Sequence, residues 1–153
     1  MRPFVTRSRG HENWTPAFTD PRYQRPMAGT NTGGCAVDLT GQNILLAEDE
    51  FMVALNIQAE LEACGAHVTV VDTVADGLPL APNGFSAAVL DVRLADGDVY
   101  PLADALIRVG VPIVFHSGHA DKSELERTYP GARALPKPTW GSDVARTVGI
   151  AAA

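Results

Sequence analysis

Residues 85–91 have the sequence FSAAVLD, an apolar run that ends in a single acid, Asp91. Such a run predicts a buried strand that presents one charge at its carboxyl end. In open α/β sheets, ligand crevices form at that end of the strands. The Asp-Gly-Asp sequence of residues 96–98 is a strong turn signal, so Asp91 is predicted to stand where the strand passes into a loop. An Asp in this position often does no more than bind loop amides, so the ends of the other strands must decide its role.

Outside this run, strand patterns alternate with helix patterns along the chain. Apolar runs predict strands at residues 43–47, 67–72, 85–91, 111–115 and 132–135. Helical spacing of apolar residues predicts helices at residues 53–64, 99–108, 120–127 and 140–148. Between the second and third strands, Pro79 and Pro82 limit the helix to a short or broken one. Five strands alternating with helices predict a parallel sheet that is covered on both faces.

The first 41 residues differ in composition from the rest of the chain. They contain four prolines and a Gly-Gly pair, with no apolar period of either kind. This composition predicts a disordered or poorly ordered N-terminal extension at residues 1–41, followed by one folded domain at residues 42–153. An alternative is that translation begins at Met27.

Size, charge and cysteine content exclude several classes of function. A chain of 153 residues with 46% hydrophobic residues has room for one core. Its formal net charge of -6 argues against nucleic-acid binding as the main activity. No apolar run reaches the roughly 18 residues that a membrane span needs. Two cysteines in a chain of this length indicate a reducing compartment rather than a disulfide scaffold, with Cys64 in the core, so we expect a cytoplasmic protein.

The predicted strand ends carry a coherent set of polar side chains. Glu48 and Asp49 follow the first strand, Asp91 the third, Ser117 the fourth and Lys137 the fifth. In a parallel sheet these ends lie at one edge, where three acids and one lysine leave two negative charges. A single Mg²⁺ ion suits that balance because it prefers oxygen ligands. Carboxylates also accept phosphoryl groups covalently, and the central acid, Asp91, is the acceptor that we predict.

Each of these side chains also has a purely structural interpretation. Asp49 and Ser117 stand where they would act as ordinary helix N-caps. Lys137 is different, because Pro136 and Pro138 exclude it from a regular strand or helix and hold it in a turn.

Four segments resemble the receiver domain of two-component response regulators, and the resemblance extends over residues 43–149. They are ILLAEDE at 44–50, VLDVRLADG at 89–97, IVFHSG at 113–118 and PKP at 136–138. The resemblance implies a flavodoxin-like, doubly wound, five-stranded parallel sheet of order 2-1-3-4-5. It also implies a cis peptide bond between Lys137 and Pro138.

The resemblance further assigns a role to each strand-end residue. It implies phosphoryl acceptance by Asp91, a switching hydroxyl on Ser117 and a phosphate-pairing ammonium on Lys137. It implies Mg²⁺ ligation by three carboxylates and one backbone carbonyl, which belong to Glu48, Asp49, Asp91 and Arg93. Most receivers carry Tyr or Phe three residues before the lysine. Here that position is Ala134, which excludes aromatic switching.

The function that this resemblance implies is that of a single-domain response regulator in phosphorelay signalling, not an enzyme with a separate substrate. A sensor histidine kinase or a histidine phosphotransfer protein would supply the phosphoryl group, and an unknown protein would be the target. We expect no output domain, and we expect residues 118–127 and the last helix to form the contact face. One alternative is a degenerate receiver that acts only as an interaction module. Another is a phosphohydrolase of the haloacid-dehalogenase type, which needs a second Asp that residues 48–50, Glu-Asp-Glu, do not supply.

Overall fold

The computed structural model describes Cys35, residues 37–118 and residues 120–153. Most of the predicted N-terminal extension, namely residues 1–34 and residue 36, lies outside these described residues, as does Met27. None of the helices in the described part of the chain has the length and apolarity that a membrane crossing requires.

The described residues form seven strands in two sheets. They are β1 (Asn43–Ala47), β2 (His67–Val71), β3 (Ala87–Leu90), β4 (Arg93–Leu94), β5 (Gly97–Asp98), β6 (Ile113–Ser117) and β7 (Arg133–Pro136). Five of them make a parallel sheet of order β2-β1-β3-β6-β7. Numbered among themselves, these five have the predicted order 2-1-3-4-5. The other two, β4 and β5, form a short antiparallel hairpin where the sequence predicted a turn.

The helices connect the parallel strands. They are α1 (Phe51–Ala63), α2 (Val74–Gly77), α3 (Tyr100–Arg108), α4 (Lys122–Thr128) and α5 (Gly141–Ala152), with a 3₁₀ helix (Leu78–Asn83) directly after α2. Pro79 lies in the first turn of the 3₁₀ helix and Pro82 lies inside it. Proline lacks the N–H that an α-helix needs, so the predicted broken second helix is confirmed.

The core consists of two apolar layers, one on each face of the sheet. On one face, the strands pack against α1 and α5 through residues such as Leu46, Ile57 and Val148. On the other face they pack against α2, α3 and α4 through residues such as Leu45 and Leu102. All four residues of β3 are buried, because this strand has neighbours on both edges and helices on both faces. Asp91 therefore follows a strand that is buried along its whole length.

The segment just before β1 also belongs to the core. Leu39 is 1% exposed in the layer beneath α1 and α5. Its N–H donates to the carbonyl of Cys64 at 2.8 Å, which fixes the segment across the end of α1. Cys35 is disulfide-bonded to Cys64, with a Cα–Cα distance of 5.2 Å. Cys64 is buried as predicted, but the pairing was not predicted, and the folded part of the chain includes residues before position 42.

Candidate functional site

Three carboxylates meet at the carboxyl end of the sheet. Glu48 follows β1 and Asp91 follows β3, and these two strands pair in parallel, so both side chains emerge at the same edge. Oxygen atoms of Glu48, Asp49 and Asp91 all lie within 4.8 Å of one another. Glu48 is 2% exposed and Asp91 is 8% exposed, whereas Asp49 is exposed. Asp49 is not the N-cap of α1, because that position is occupied by Glu50, whose side chain makes no capping hydrogen bond.

Lys137 projects into this acidic cluster from the end of β7. Its Nζ lies 2.8 Å from Oε2 of Glu48 and 2.9 Å from Oδ2 of Asp91. A third carboxylate oxygen, on Glu50, lies 3.3 Å from the same Nζ. The backbone N–H of Lys137 donates to the carbonyl of Ser117, and the bond to Pro138 is cis, as predicted. One ammonium is therefore shared among three acids.

Ser117 and Arg93 complete the predicted set. Ser117 ends β6 and is 8% exposed, and its hydroxyl oxygen accepts from the N–H of Ala120 at 3.2 Å. Arg93 donates its backbone N–H to Oδ1 of Asp91 at 3.3 Å, while its side chain points to solvent and pairs with Asp98. The hydroxyl thus bonds to the loop after β6 and does not cap α4, whose N-cap residue is Asp121. It lies at the edge of the sheet that carries the acids.

An open cleft of about 1270 Å³ gives access to these groups. Polar residues line its floor, including Asp91, Ser117 and Lys137. Apolar side chains at the start of α1 and before α5, among them Met52 and Trp140, line its sides. The acids and the lysine are therefore reachable from solvent through one opening.

Solved structures of receiver domains are similar to this chain. A response regulator receiver protein from Sinorhizobium medicae has 27% sequence identity and a TM-score of 0.67, covering 75% of this chain and 97% of its own. The non-phosphorylated HemR receiver domain from Leptospira biflexa has 26% identity and a TM-score of 0.66, covering 73% and 94%. The fold is that of a response-regulator receiver domain.

A third similar receiver carries a metal. It belongs to a sensor histidine kinase from Pseudomonas aeruginosa and has a magnesium ion coordinated in its active-site cleft. It has 25% identity and a TM-score of 0.62, covering 74% of this chain and 98% of its own. No protein-family model and no curated protein matches this sequence.

The electrostatics of the site reflect an excess of buried negative charge. Burial raises the pKa of Glu48 to about 7, against the opposing effect of its hydrogen bonds from Lys137 and Glu50. Burial alone would lower the pKa of Lys137. Its hydrogen bonds to Glu48 and Asp91 have the larger effect, so the pKa of Lys137 is above the ordinary value. Burial, with a further contribution from the Lys137 ammonium, lowers the pKa of the nearby His116 to about 4. The lysine is therefore charged and His116 neutral at neutral pH.

The same charge balance suits a divalent cation. Oε2 of Glu48 is buried and makes no hydrogen bond to the residues that the structure describes, although it lies close to the Lys137 ammonium. Three carboxylates within reach of one point provide hard oxygen donors, which Mg²⁺ prefers. A cation bound between these carboxylates would neutralise the negative charge that the single ammonium of Lys137 leaves uncompensated.

Two residues of the site were not predicted from the sequence. Glu50 shares the ammonium of Lys137. His116 follows the fourth strand predicted at residues 111–115, but it lies within β6 and is 2% exposed beside Glu48. Strand alternation is the signal that would have placed His116, because it lies two residues after Val114 and shares its face of the sheet.

Proposed function

We propose that this receiver domain accepts a phosphoryl group on Asp91 from a histidine of a sensor kinase or phosphotransfer protein and acts as a response regulator in a phosphorelay. The observation that carries the proposal is the contact between Nζ of Lys137 and Oδ2 of Asp91 at 2.9 Å, beside the acids Glu48 and Asp49. Phosphoryl transfer requires positive charge around the equatorial oxygens and an acceptor held in line. An ammonium that already faces the acceptor carboxylate meets the first requirement.

In the proposed transfer, one oxygen of Asp91 attacks the phosphorus atom. The new P–O bond forms while the P–N bond to the donor imidazole breaks, and the imidazole leaves with the electron pair. Lys137 and the hydroxyl of Ser117 direct their hydrogens to the phosphoryl oxygens. Mg²⁺, when held by the carboxylates of Glu48, Asp49 and Asp91 and the carbonyl of Arg93, neutralises the charge that these oxygens carry.

The signal would leave the site through Ser117. Its hydroxyl oxygen accepts from the N–H of Ala120 in the present structure. A phosphoryl group on Asp91 attracts that hydroxyl and weakens the bond to Ala120, which changes the segment that leads into α4. Residues 118–127 and α5 are therefore the face that we propose for the target protein.

Exposed apolar side chains at the cleft support the proposal that the phosphoryl donor is a protein. Met52 and Trp140 are 71% and 79% exposed, and both line the cleft. Exposed large apolar side chains that are grouped in this way are typical of protein contact surfaces. A partner that brings a phosphohistidine to Asp91 would bury them.

Intact-mass measurement after incubation with acetyl phosphate and Mg²⁺ tests the acceptor. We expect wild type to gain the mass of one phosphoryl group, and Asp91→Asn to gain none. Asp98→Asn is the matched control, because Asp98 is an exposed acid on the adjacent hairpin and contacts Arg93 rather than Lys137. This variant should gain the phosphoryl group as wild type does, and EDTA should abolish the gain in both.

Other results would support the alternatives. An unmodified wild type, with donors and Mg²⁺ in excess, would favour a receiver that serves only as an interaction module. Steady hydrolysis of unrelated phosphate esters would favour a phosphohydrolase. A phosphoryl gain that persists in Asp91→Asn would place the acceptor elsewhere.

A further inference from the structure

His116 is a buried polar side chain that the proposed transfer does not use. It is 2% exposed, and neither ring nitrogen hydrogen bonds to any residue that the structure describes. Buried polar groups in folded proteins nearly always have a partner, so a ring with two unpartnered nitrogens requires an explanation. Its Nδ1 faces Oε2 of Glu48 at 4.0 Å.

The facing atom, Oε2 of Glu48, forms an ion pair with Nζ of Lys137 at 2.8 Å but has a free position for a further donor. Oε1 of Glu48 accepts from the N–H of Glu50 and from Nζ of Lys137, each at 3.1 Å. Oε2 makes no hydrogen bond within the described residues, even though Lys137 is near. The gap of 4.0 Å to Nδ1 of His116 exceeds a hydrogen bond by about 1 Å, which a small side-chain rotation closes.

Once Asp91 carries a phosphoryl group, the acceptors around Lys137 outnumber the three N–H donors of its ammonium. An ammonium has three N–H donors, and these now face carboxylates of Glu48, Asp91 and Glu50. At least one of them must turn to a phosphoryl oxygen after transfer. Glu48 then loses part of its stabilisation while it remains buried, and a buried carboxylate without donors is costly.

We propose that His116 is a positioning residue, which donates a hydrogen bond from Nδ1 to Oε2 of Glu48 and holds this carboxylate in place when the metal or the phosphoryl group engages the site. The inference rests on the proposed function. His116 acts as a neutral donor throughout and adds no charge beneath the acids, so it competes with neither Lys137 nor the cation. Residues that hydrogen bond to metal-ligating side chains orient them and commonly change metal affinity about 10–100-fold.

Two variants separate a hydrogen-bonding role from a packing role. His116→Leu fills the space without a donor, and His116→Asn keeps an N–H close to the position of Nδ1. We expect an NMR titration with Mg²⁺ alone, followed on backbone amides of the full chain, to show affinity reduced about 10-fold or more in His116→Leu. His116→Asn should stay close to wild type. Equal affinity of His116→Leu and wild type, or equal losses in both variants, would overturn the proposal.

A measurement on wild type alone avoids the question of whether a variant folds. The ¹⁵N shifts of the His116 ring identify which nitrogen carries the proton. We expect a proton on Nδ1, with a shift that moves toward a stronger hydrogen bond when Mg²⁺ and beryllofluoride, a phosphoryl mimic, are added. A proton on Nε2 in both states would refute the inference.

These outcomes are distinct from those that test the proposed function. If wild type forms the acyl phosphate on Asp91 while His116→Leu binds Mg²⁺ as tightly as wild type, only the inference about His116 fails. If wild type neither binds Mg²⁺ nor gains a phosphoryl group, the proposed function fails and the inference falls with it.

Discussion

Replacement of Lys137 by methionine removes one ammonium and leaves an apolar chain of similar length. In the present structure Nζ lies 2.8 Å from Glu48 and 2.9 Å from Asp91, whose side chains are 1% and 10% exposed. Both carboxylates would keep their burial and lose this counter-charge. A buried carboxylate that loses its charged partner is penalised by desolvation that nothing offsets.

The size of the loss follows from the number and burial of the contacts. One hydrogen bond to a charged group contributes about 1.5–3 kcal/mol, and loss of one partner from a fully buried ion pair costs about 3–5 kcal/mol. The Lys137 side chain is 15% exposed, so solvent screens the pair only in part. We therefore expect Lys137→Met to lower the free energy of unfolding by about 3 kcal/mol in metal-free protein at pH 8, toward the lower end of the buried range.

Urea denaturation in EDTA, followed by circular dichroism, measures this difference. Lys122→Met is the matched control, because Lys122 is 63% exposed and lies 3.9 Å from Glu126 within the same helix. Exposed pairs of this kind contribute at most about 0.5 kcal/mol. Added Mg²⁺ should return part of the stability lost in Lys137→Met, since it supplies the missing charge. If Lys137→Met were as stable as Lys122→Met, the account of charge balance in the site would be wrong.

Three further predictions concern the core and the acids. Leu39→Ala should lower the free energy of unfolding by about 2–5 kcal/mol because Leu39 is 1% exposed, and an unchanged urea midpoint would show that its segment lies outside the core. Gly149→Ala should destabilise the domain, although alanine usually favours a helix interior by about 1 kcal/mol, because a Cβ there would run into Val37. In a chain that lacks residues 1–38, and therefore Val37, Gly149→Ala should instead stabilise the domain and raise its midpoint of thermal unfolding. For Glu48, the folded pKa of about 7 exceeds the ordinary 4.5, so the folded state binds more protons than the unfolded chain between these values. The stability of metal-free protein should therefore fall as pH rises from 4.5 to 7, and Glu48→Gln should flatten the fall.

The sheet could be predicted because each of its strands is a local pattern. Apolar runs with turn signals on either side mark β1, β2 and β3 without knowledge of their neighbours. The order of the strands followed from the resemblance, and the convergence of their polar ends followed from parallel pairing. The break in the second helix was equally local, because it depends on Pro79 and Pro82 alone.

The segment before β1 could not be predicted in this way. Leu39 lies between Asp38 and Thr40, and Val37 is the only other large apolar residue nearby, so the pattern is too short to mark a core segment. Leu39 is buried because its backbone bonds to Cys64 at the far end of α1. The hairpin of β4 and β5 was missed for a related reason, since strands of two residues are too short to show alternation.

His116 shows what strand alternation adds to the identification of strand ends. In β1 and β6, Leu46 and Val114 lie in the apolar layer beneath α1 and α5. Side chains two residues apart share a face, so Glu48 and His116 must enter the same layer from adjacent regions of one edge. Strand order and alternation place both side chains on one face of the sheet, but β3 lies between β1 and β6, so the approach to 4.0 Å was not available from the sequence. Because Leu46 and Val114 belong to the apolar layer on this face, the ring finds a polar partner only toward the acids at the edge of the sheet, and its Nδ1 faces Glu48.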